Sequence, residues 1–183
     1  WIMDAYVQRK PEVAESLHTS LSDVSLSFDG WSSPNGLSLL GVVAHWIDKD
    51  CTLRNALIGM PRLEGQHSGE KIAMAVSALI RDYGIQRKIG TFVLDNATNN
   101  DTAVEILAQE FGLDPAQCRL RCWGHTVNLV VKALLFGEGL TAFQKELSDA
   151  GDDESFDIWR RQHAIGKLHN IVRYIMRSDQ RVQ

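Results

Sequence analysis

Two aspartates stand where apolar runs of the chain end in polar turns. Asp95 follows the apolar residues 92–94 in FVLDNATNN, and Asp29 ends the alternating stretch VSLSFD. If the two runs form neighbouring parallel strands, both carboxylates lie at one edge of a sheet. Carboxylates that close repel each other unless one is protonated or a cation lies between them, and hard divalent cations prefer oxygen ligands. The pair therefore predicts a metal site, whereas either aspartate alone is more typical of a turn or helix cap.

Cys122 and His125 form a second pattern, C-x-x-H. Zinc is disfavoured because a structural site needs four ligands, and neither Cys118 nor the later histidines supply a second pair at suitable spacing. A nucleophilic pair is disfavoured as well, because nothing in the sequence suggests an orienting group. His125 at a helix start can donate to a phosphate, since helix N-termini favour anions. The alternative, a core histidine and a buried cysteine, stays open.

Length and composition limit the class of protein. The chain has 183 residues, 44% of them hydrophobic, and a formal charge of −4, which suits one core of ordinary size and does not exclude a nucleic-acid binder. No apolar run approaches the roughly 20 residues that span a bilayer. Three cysteines without framework spacing suit a reducing compartment, cytosol or nucleus. The first residue is Trp1, so we expect a piece of a longer chain.

Residue periodicity predicts the elements that position these residues. We expect a short helix over 3–19, interrupted by Pro11, before the first strand. Turn chemistry separates the first three strands, which implies an antiparallel meander. Later strands alternate with helices, so the order β-β-β-α-β-α-β-α predicts one mixed α/β sheet in which the first and fourth strands can be parallel neighbours. The predicted strands are 24–29, 37–47, 52–60, 88–95 and 117–123. Three helices are predicted after the third strand: the first starts at Ser68, the second at Asn99 or Asn100, and the third at His125.

The asparagines after Asp95 have a structural interpretation. Asn96, Asn99 and Asn100 are predicted to supply turn and cap hydrogen bonds that hold the acid in place. Trp31 either shields the edge of the site or stacks on DNA, although a tryptophan is more often part of a core.

The last part of the chain differs in charge. Residues 138–157 carry seven acids and one base, and residues 159–183 carry six bases and one acid. This pattern predicts an acidic loop followed by an amphipathic helix whose apolar stripe, at Leu168, Ile171, Val172 and Ile175, is buried. We therefore divide the chain into an N-terminal helical lead-in (1–23), a core (24–136), and a linker with one helix (137–183).

Five blocks in the same order resemble the hAT transposases, whose catalytic domain has a ribonuclease H-like fold. The resemblance covers nearly the whole chain, and the first block departs from the usual pattern only at Gly30, where a bulkier apolar residue is common. The blocks are SFDGWSSPNG, LLGVVAHWID with HSGE, VLDNATNND, RCWGHTVNLVVKALL and KLHNIVRYIMRSDQR.

The resemblance implies a metal-dependent DNA strand cleavage and transfer reaction. Such enzymes use two aspartates and a glutamate to hold two divalent metals, Mg²⁺ or Mn²⁺, about 4 Å apart. Asp29 and Asp95 match the first two acids. The third acid is implied to lie beyond a helical insertion whose first helix is in 137–183, outside this chain. His125 and Cys122 are then implied to lie beside the site and near DNA, as are Trp31 and Asn96.

Two functions are consistent with these observations. The first is the N-terminal half of a transposase catalytic domain, nuclear, with transposon ends and target DNA as partners and with oligomerisation through segments outside this chain. The second is a catalytically inactive, domesticated or relic domain that binds DNA or protein partners. A free ribonuclease H is disfavoured, because a compact nuclease would supply its remaining carboxylates within this length.

Overall fold

The structure, a computed structural model, is an α/β fold. It describes residues 2–33, 36–63, 65, 68–136 and 140–176. The strands are β1 (Val24–Ser32), β2 (Ser38–Ile47), β3 (Leu53–Gly59), β4 (Ile89–Leu94) and β5 (Arg119–Arg121). The helices are α1 (Ile2–His18), α2 (Gly69–Asp82), α3 (Thr98–Phe111), α4 (Pro115–Cys118), α5 (Trp123–Phe136), α6 (Leu140–Asp149), α7 (Asp152–Arg160) and α8 (His163–Met176).

The five strands form one mixed sheet in the order β3-β2-β1-β4-β5. β1 pairs with β2, and β2 with β3, in antiparallel fashion, whereas β4 is parallel to both β1 and β5. The predicted mixed sheet is thereby confirmed, and so is the placement of the first and fourth strands as parallel neighbours. This order is that of a ribonuclease H-like fold.

One face of the sheet is buried against a hydrophobic core. Along β1 the residues alternate between buried and half-buried as far as Phe28, which is why the sequence shows a period of two there. Phe28 contacts Phe92 of β4 edge-on, with 6.3 Å between ring centroids. From the helices, the core takes buried apolar residues that recur at helical spacing, among them Ile72, Val76, Ile80, Val104 and Leu107.

Helices α2 and α3 are joined by a polar contact as well as by the core. Ser77 Oγ donates to Glu110 Oε1 at 2.5 Å, and Arg81 Nη2 donates to the same oxygen at 2.7 Å. The hydrogen bond from Ser77, followed by the Arg81 guanidinium, lowers the pKa of the Glu110 carboxyl below its usual 4.5. The charged carboxylate therefore stabilises the folded state.

Replacing Glu110 by glutamine is expected to lower stability at neutral pH. The folded-state pKa is depressed, so the contribution is complete above pH 4.5 and is lost as the pH falls through the folded-state pKa. The urea midpoints of Glu110→Gln and wild type should differ most at pH 7 and converge in acid. Glu105→Gln, on the exposed side of the same helix, is the control and should follow wild type. A difference that persists unchanged below pH 3 would contradict the ionic contribution.

Several boundaries differ from the sequence prediction. Strand β1 does not end at Asp29 but continues to Ser32, because residues 29–32 go on pairing with residues 38–41 of β2. Helix α1 continues through Pro11 instead of stopping there, with the loss of the one backbone hydrogen bond that proline cannot donate. Residues 117 and 118 belong to α4, not to the fifth strand, which shortens β5 to Arg119–Arg121. The reason is local: Asp114 accepts a hydrogen bond from the Ala116 amide at 3.0 Å and Pro115 occupies the first helical turn, a strong helix start.

The start of α3 also differs from the prediction. The helix begins at Thr98 with Ala97 as its N-cap, so Asn99 and Asn100 lie inside the first turn instead of capping it. At both ends of α2 the prediction is confirmed. Ser68 is the N-cap of α2, and Gly84, in the left-handed region at φ +68°, follows its C-cap.

The chain separates into two compact units, Trp1–Thr126 and Val127–Gln183. In the second, the acidic tract predicted as a loop is helical, in α6 and α7. Its helices bury apolar residues that charge counting overlooked: Phe143 and Ile158 are buried, and Phe143 contacts Trp159 edge-on, with 4.9 Å between centroids. Glu146 also receives a hydrogen bond from Arg161 at 2.9 Å.

The apolar stripe of α8 is exposed, which contradicts the prediction that it is buried. Leu168 is 62% exposed and Ile171 is 56% exposed. The face of α8 that meets α7 is polar instead: His169 stacks on Trp159 at 3.7 Å between centroids, and Asn170 donates to the Phe156 carbonyl at 3.0 Å. These contacts decide which side of the helix is covered. Burial, followed by the Arg173 guanidinium, lowers the pKa of His169.

None of the helices in the described part of the chain is both long enough and apolar enough to cross a membrane.

Candidate functional site

The candidate site lies where β1 and β4 reach their carboxyl ends. The last paired residues of these parallel strands are Ser27 and Val93. Asp29 stands two residues further along β1, and Asp95 stands two residues further along the chain, directly after β4. Continuing the register sets them opposite each other and on one face of the sheet. Neighbouring strands are about 4.8 Å apart. On this register the two acids are neighbours across the sheet.

Two further residues extend this row across the sheet. On one side, Asp29 pairs with Gly41 of β2. On the other, the Cys122 amide donates to the Leu94 carbonyl at 2.7 Å, which continues the β4–β5 ladder and places Cys122 beside Asp95. The row therefore runs from Gly41 through the two acids to Cys122.

Asp95 is held by the start of α3. Its Oδ1 accepts hydrogen bonds from the Ala97 amide at 3.0 Å and from Asn100 Nδ2 at 2.7 Å. The prediction that asparagines hold this turn is confirmed for Asn100. Asn96 acts differently: its Oδ1 accepts a hydrogen bond from Arg121 Nη1 at 2.7 Å. The half-buried carboxylate of Asp95 is therefore oriented before any ligand arrives.

Asp29 has a more open environment than Asp95. It is exposed on β1 and lies beyond the last buried residue of that strand. On the same face, two residues earlier, Ser27 Oγ lies 2.8 Å from His45 Nε2. A polar strip thus leads along the sheet to the acid, although the sequence analysis singled out neither Ser27 nor His45.

Trp31 is not a core residue: its side chain is 45% exposed. Its ring lies against Gly41, where an added Cβ would stand 3.3 Å from the nearest ring carbon. Since Gly41 pairs with Asp29, the indole lies next to the first acid. This position agrees with a residue at the edge of the site.

Cys122 and His125 occupy the junction between β5 and α5. Both are half-buried, and the Cys122 carbonyl accepts a hydrogen bond from the Thr126 amide at 3.1 Å, which closes the first turn of the helix. His125 is the third residue of α5. Because α5 and α3 both begin at the carboxyl end of β4 or β5, two helix N-termini lie at the edge that carries the acids, and their partial positive charge favours an anion there.

The donor atoms present suit a hard cation but make up only part of a site. Asp29 and Asp95 offer carboxylate oxygens, the ligands that Mg²⁺ and Mn²⁺ prefer. Over residues 2–33, 36–63, 65, 68–136 and 140–176, no group of three or more His, Cys, Asp and Glu side chains is arranged to hold a metal ion. Cys118 is buried in α4, and burial raises the pKa of its thiol, which disfavours the thiolate that zinc requires.

Arg119 is the residue of this region that sequence reasoning missed. It stands on the short strand β5 and donates to backbone carbonyls at the end of β4. The stretch RLR carries no sequence signal for such contacts, because the partners of Arg119 lie 24 and 25 residues earlier.

A family model described as the ZBED1 RNase-like domain matches residues 27–124. The putative AC transposase of Zea mays is 31% identical over 139 residues, which are 72% of this chain and 17% of the maize protein. The putative transcriptional regulator tpeD of Talaromyces stipitatus is 25% identical over 174 residues, 86% of this chain and 20% of that protein. The chain therefore spans a fifth or less of the length of these relatives.

Solved structures give a weaker likeness. The Mos1 transposase catalytic domain, solved with raltegravir and Mg, is 19% identical, with a TM-score of 0.34 over 87% of this chain and 89% of that one. The fold assignment rests on the strand order described above and on the family match.

Proposed function

The chain belongs to the hAT transposase family, in the region of the ZBED1 RNase-like domain, and from this premise we propose that it supplies two acids of a DNA strand cleavage and transfer site. The observation that supports the proposal is the parallel register of β1 and β4, whose last pair is Ser27 and Val93. Continuing this register by two residues sets Asp29 opposite Asp95. In this proposal residues 24–136 form the ribonuclease H-like core and residues from 137 begin the helical insertion. The protein acts in the nucleus on transposon ends and target DNA.

Asp29 and Asp95 would hold a divalent cation, Mg²⁺ or Mn²⁺, together with a third acid from outside the described residues. Such an ion, when bound, would activate the attacking oxygen and stabilise the leaving one. The chain's own residues orient and hold the reacting groups. Asn100 and the Ala97 amide keep the Asp95 carboxylate in one rotamer, so that little ordering is needed on binding.

DNA would approach from the edge that carries the acids. The N-terminus of α5, with His125, would receive a phosphate there, and the exposed Trp31 ring would border the strand next to Asp29. Arg121 has half of its side chain exposed, at 53%, and could add a contact to the phosphate backbone.

Binding of Mn²⁺ to this chain tests the proposal directly. We expect Mn²⁺ at millimolar concentration to broaden the amide resonances of residues around Asp29, Asp95 and Ala97, because a paramagnetic ion relaxes nearby nuclei. Two carboxylates bind Mn²⁺ only weakly, so the site should be far from saturated at micromolar Mn²⁺. The control is Asp50→Asn, an exposed residue in the turn after β2, which should leave the broadening unchanged. Broadening confined to residues elsewhere would refute the site.

The alternative function is a domain that binds DNA or protein partners without cutting DNA. It is favoured by the fact that the described residues contain no group of three or more His, Cys, Asp and Glu side chains arranged to hold a metal ion. One relative of this chain is described as a putative transcriptional regulator. Salt-dependent DNA binding by the protein together with the absence of Mn²⁺ broadening at the two acids would support this alternative.

A further inference from the structure

Arg119 has a nearly buried side chain, with 10% of its surface exposed. Its Nε donates to Asp101 Oδ1 at 3.0 Å, and its Nη1 donates to the carbonyls of Leu94 at 3.2 Å and Leu120 at 2.7 Å. Its Nη2 donates to the Asp95 carbonyl. Burying a charged group is costly unless its donors are satisfied. All three guanidinium nitrogens are engaged, and the partners are fixed parts of the fold.

These contacts lie where the hydrogen-bond ladder between β4 and β5 ends. The ladder between β4 and β5 continues only as far as the Leu94 carbonyl, which accepts a hydrogen bond from the Cys122 amide. The next carbonyl, that of Asp95, lies beyond the strand. The guanidinium takes the place of a further rung, since it binds the carbonyls of both Leu94 and Asp95.

Arg119 also connects the same point to α3. Its partner Asp101 lies in the first turn of that helix, next to Asn100, whose Nδ2 donates to the Asp95 carboxylate. The backbone of Asp95 is thus held by Arg119, its side chain is held by Asn100, and both holders are joined through Asp101. Rotation of Asp95 would require breaking at least one of these contacts.

We propose that Arg119 is a positioning residue for Asp95, one that sets the direction of its carboxylate without touching metal or DNA. This inference rests on the proposed function, in which Asp95 holds a divalent cation. The low exposure of Arg119 and its contacts with the Leu94 and Asp95 carbonyls separate it from Arg121, which is 53% exposed. Lysine cannot replace it. The planar guanidinium of arginine reaches Asp101 and the carbonyls of Leu94 and Asp95 at once, whereas lysine offers a single ammonium group.

The test compares Mn²⁺ affinity in wild type, Arg119→Lys and Arg81→Lys by amide broadening around Asp29, Asp95 and Ala97. Groups that orient metal ligands typically contribute 10–100-fold to metal affinity. We therefore expect Arg119→Lys to weaken Mn²⁺ binding by about 10-fold or more and to shift the Asn100 side-chain amide resonances. Arg81→Lys is the matched control, because Arg81 makes a comparable carboxylate contact with Glu110 at 2.7 Å at the other end of α3. It should keep wild-type affinity.

The outcomes separate the two proposals. Absence of Mn²⁺ broadening near both acids in wild type would refute the proposed function. Binding by wild type together with an affinity within twofold for Arg119→Lys would overturn the positioning role and leave the function standing. An equal loss in Arg81→Lys would also overturn it, since the effect would then follow general stability. Should Arg119→Lys fail to fold, Asp101→Asn decides by the same criterion. It removes the charge that links Arg119 to α3, together with the weaker pair of Asp101 with Arg121 at 3.7 Å, and leaves the contacts of Arg119 with the backbone carbonyls in place.

Discussion

Asp95→Asn and Asp29→Asn are each expected to abolish metal-dependent DNA cleavage in a longer protein that carries this chain together with a third acid. An asparagine keeps the shape of the side chain but loses the charge that a divalent cation requires, while the register beside the partner acid is unchanged. Loss of one preorganised group at a charged transition state typically costs about 10²–10³-fold in rate, and loss of a metal ligand should cost at least that.

Cleavage of a labelled duplex with Mg²⁺, and with EDTA, measures this effect. Asp50→Asn is the control and should cleave like wild type, because Asp50 lies exposed in the turn at the opposite end of β2. DNA binding by the two site variants should persist or strengthen, since a negative charge is removed from the neighbourhood of the phosphates. Unimpaired cleavage by either variant would remove that aspartate from the mechanism.

The 183-residue chain by itself is expected to leave the duplex intact in the same assay. Two acids supply only part of the ligand set, and the described residues hold no group of three. Full Mg²⁺-dependent cleavage by this chain alone would show that the argument for a missing third acid is wrong.

Phe92→Ala is expected to lower the stability of the first unit by about 3–5 kcal/mol, because truncating a fully buried aromatic removes its transfer free energy and leaves a cavity. Phe92 is 0% exposed and lies on β4, an interior strand of the sheet, against Phe28 of the central strand β1. The free energy of unfolding of domains of this kind is about 5–15 kcal/mol, so the expected loss is a large fraction of it. The site would be affected as well, since β4 ends in Asp95.

Hydrogen exchange of the β4 amides under native conditions measures this loss as a decrease in the free energy of opening of that strand. The control is Leu57→Ala, also an apolar truncation in the sheet, at a residue that is 57% exposed. It should change the opening free energy by no more than about 0.5 kcal/mol. A change below about 1 kcal/mol for Phe92→Ala would contradict the central place given to this residue in the core.

Local patterns were sufficient to predict most elements, and the two misses in the second unit have separate causes. The period-two alternation of residues 24–28 and the helical spacing in 69–82 reflect one covered face each, so they can be recognised without a fold. The acidic stretch of α6 and α7 was misassigned as a loop because its charges concealed a few buried residues. The stripe of α8 was expected to be buried because amphipathicity identifies an apolar face but not what covers it.

The sequence by itself determined that an aspartate follows each of two apolar strand patterns, that asparagines follow the second, and that the element order allows the two strands to be neighbours. It did not show that β1 continues past Asp29 to Ser32. Only the tertiary structure decided the register that sets Asp29 level with Asp95 and the contacts of Arg119 with residues 18, 24 and 25 positions away. The physical reason is that periodicity and turn chemistry act over a few residues, whereas strand register and the partners of a buried guanidinium depend on where distant segments pack.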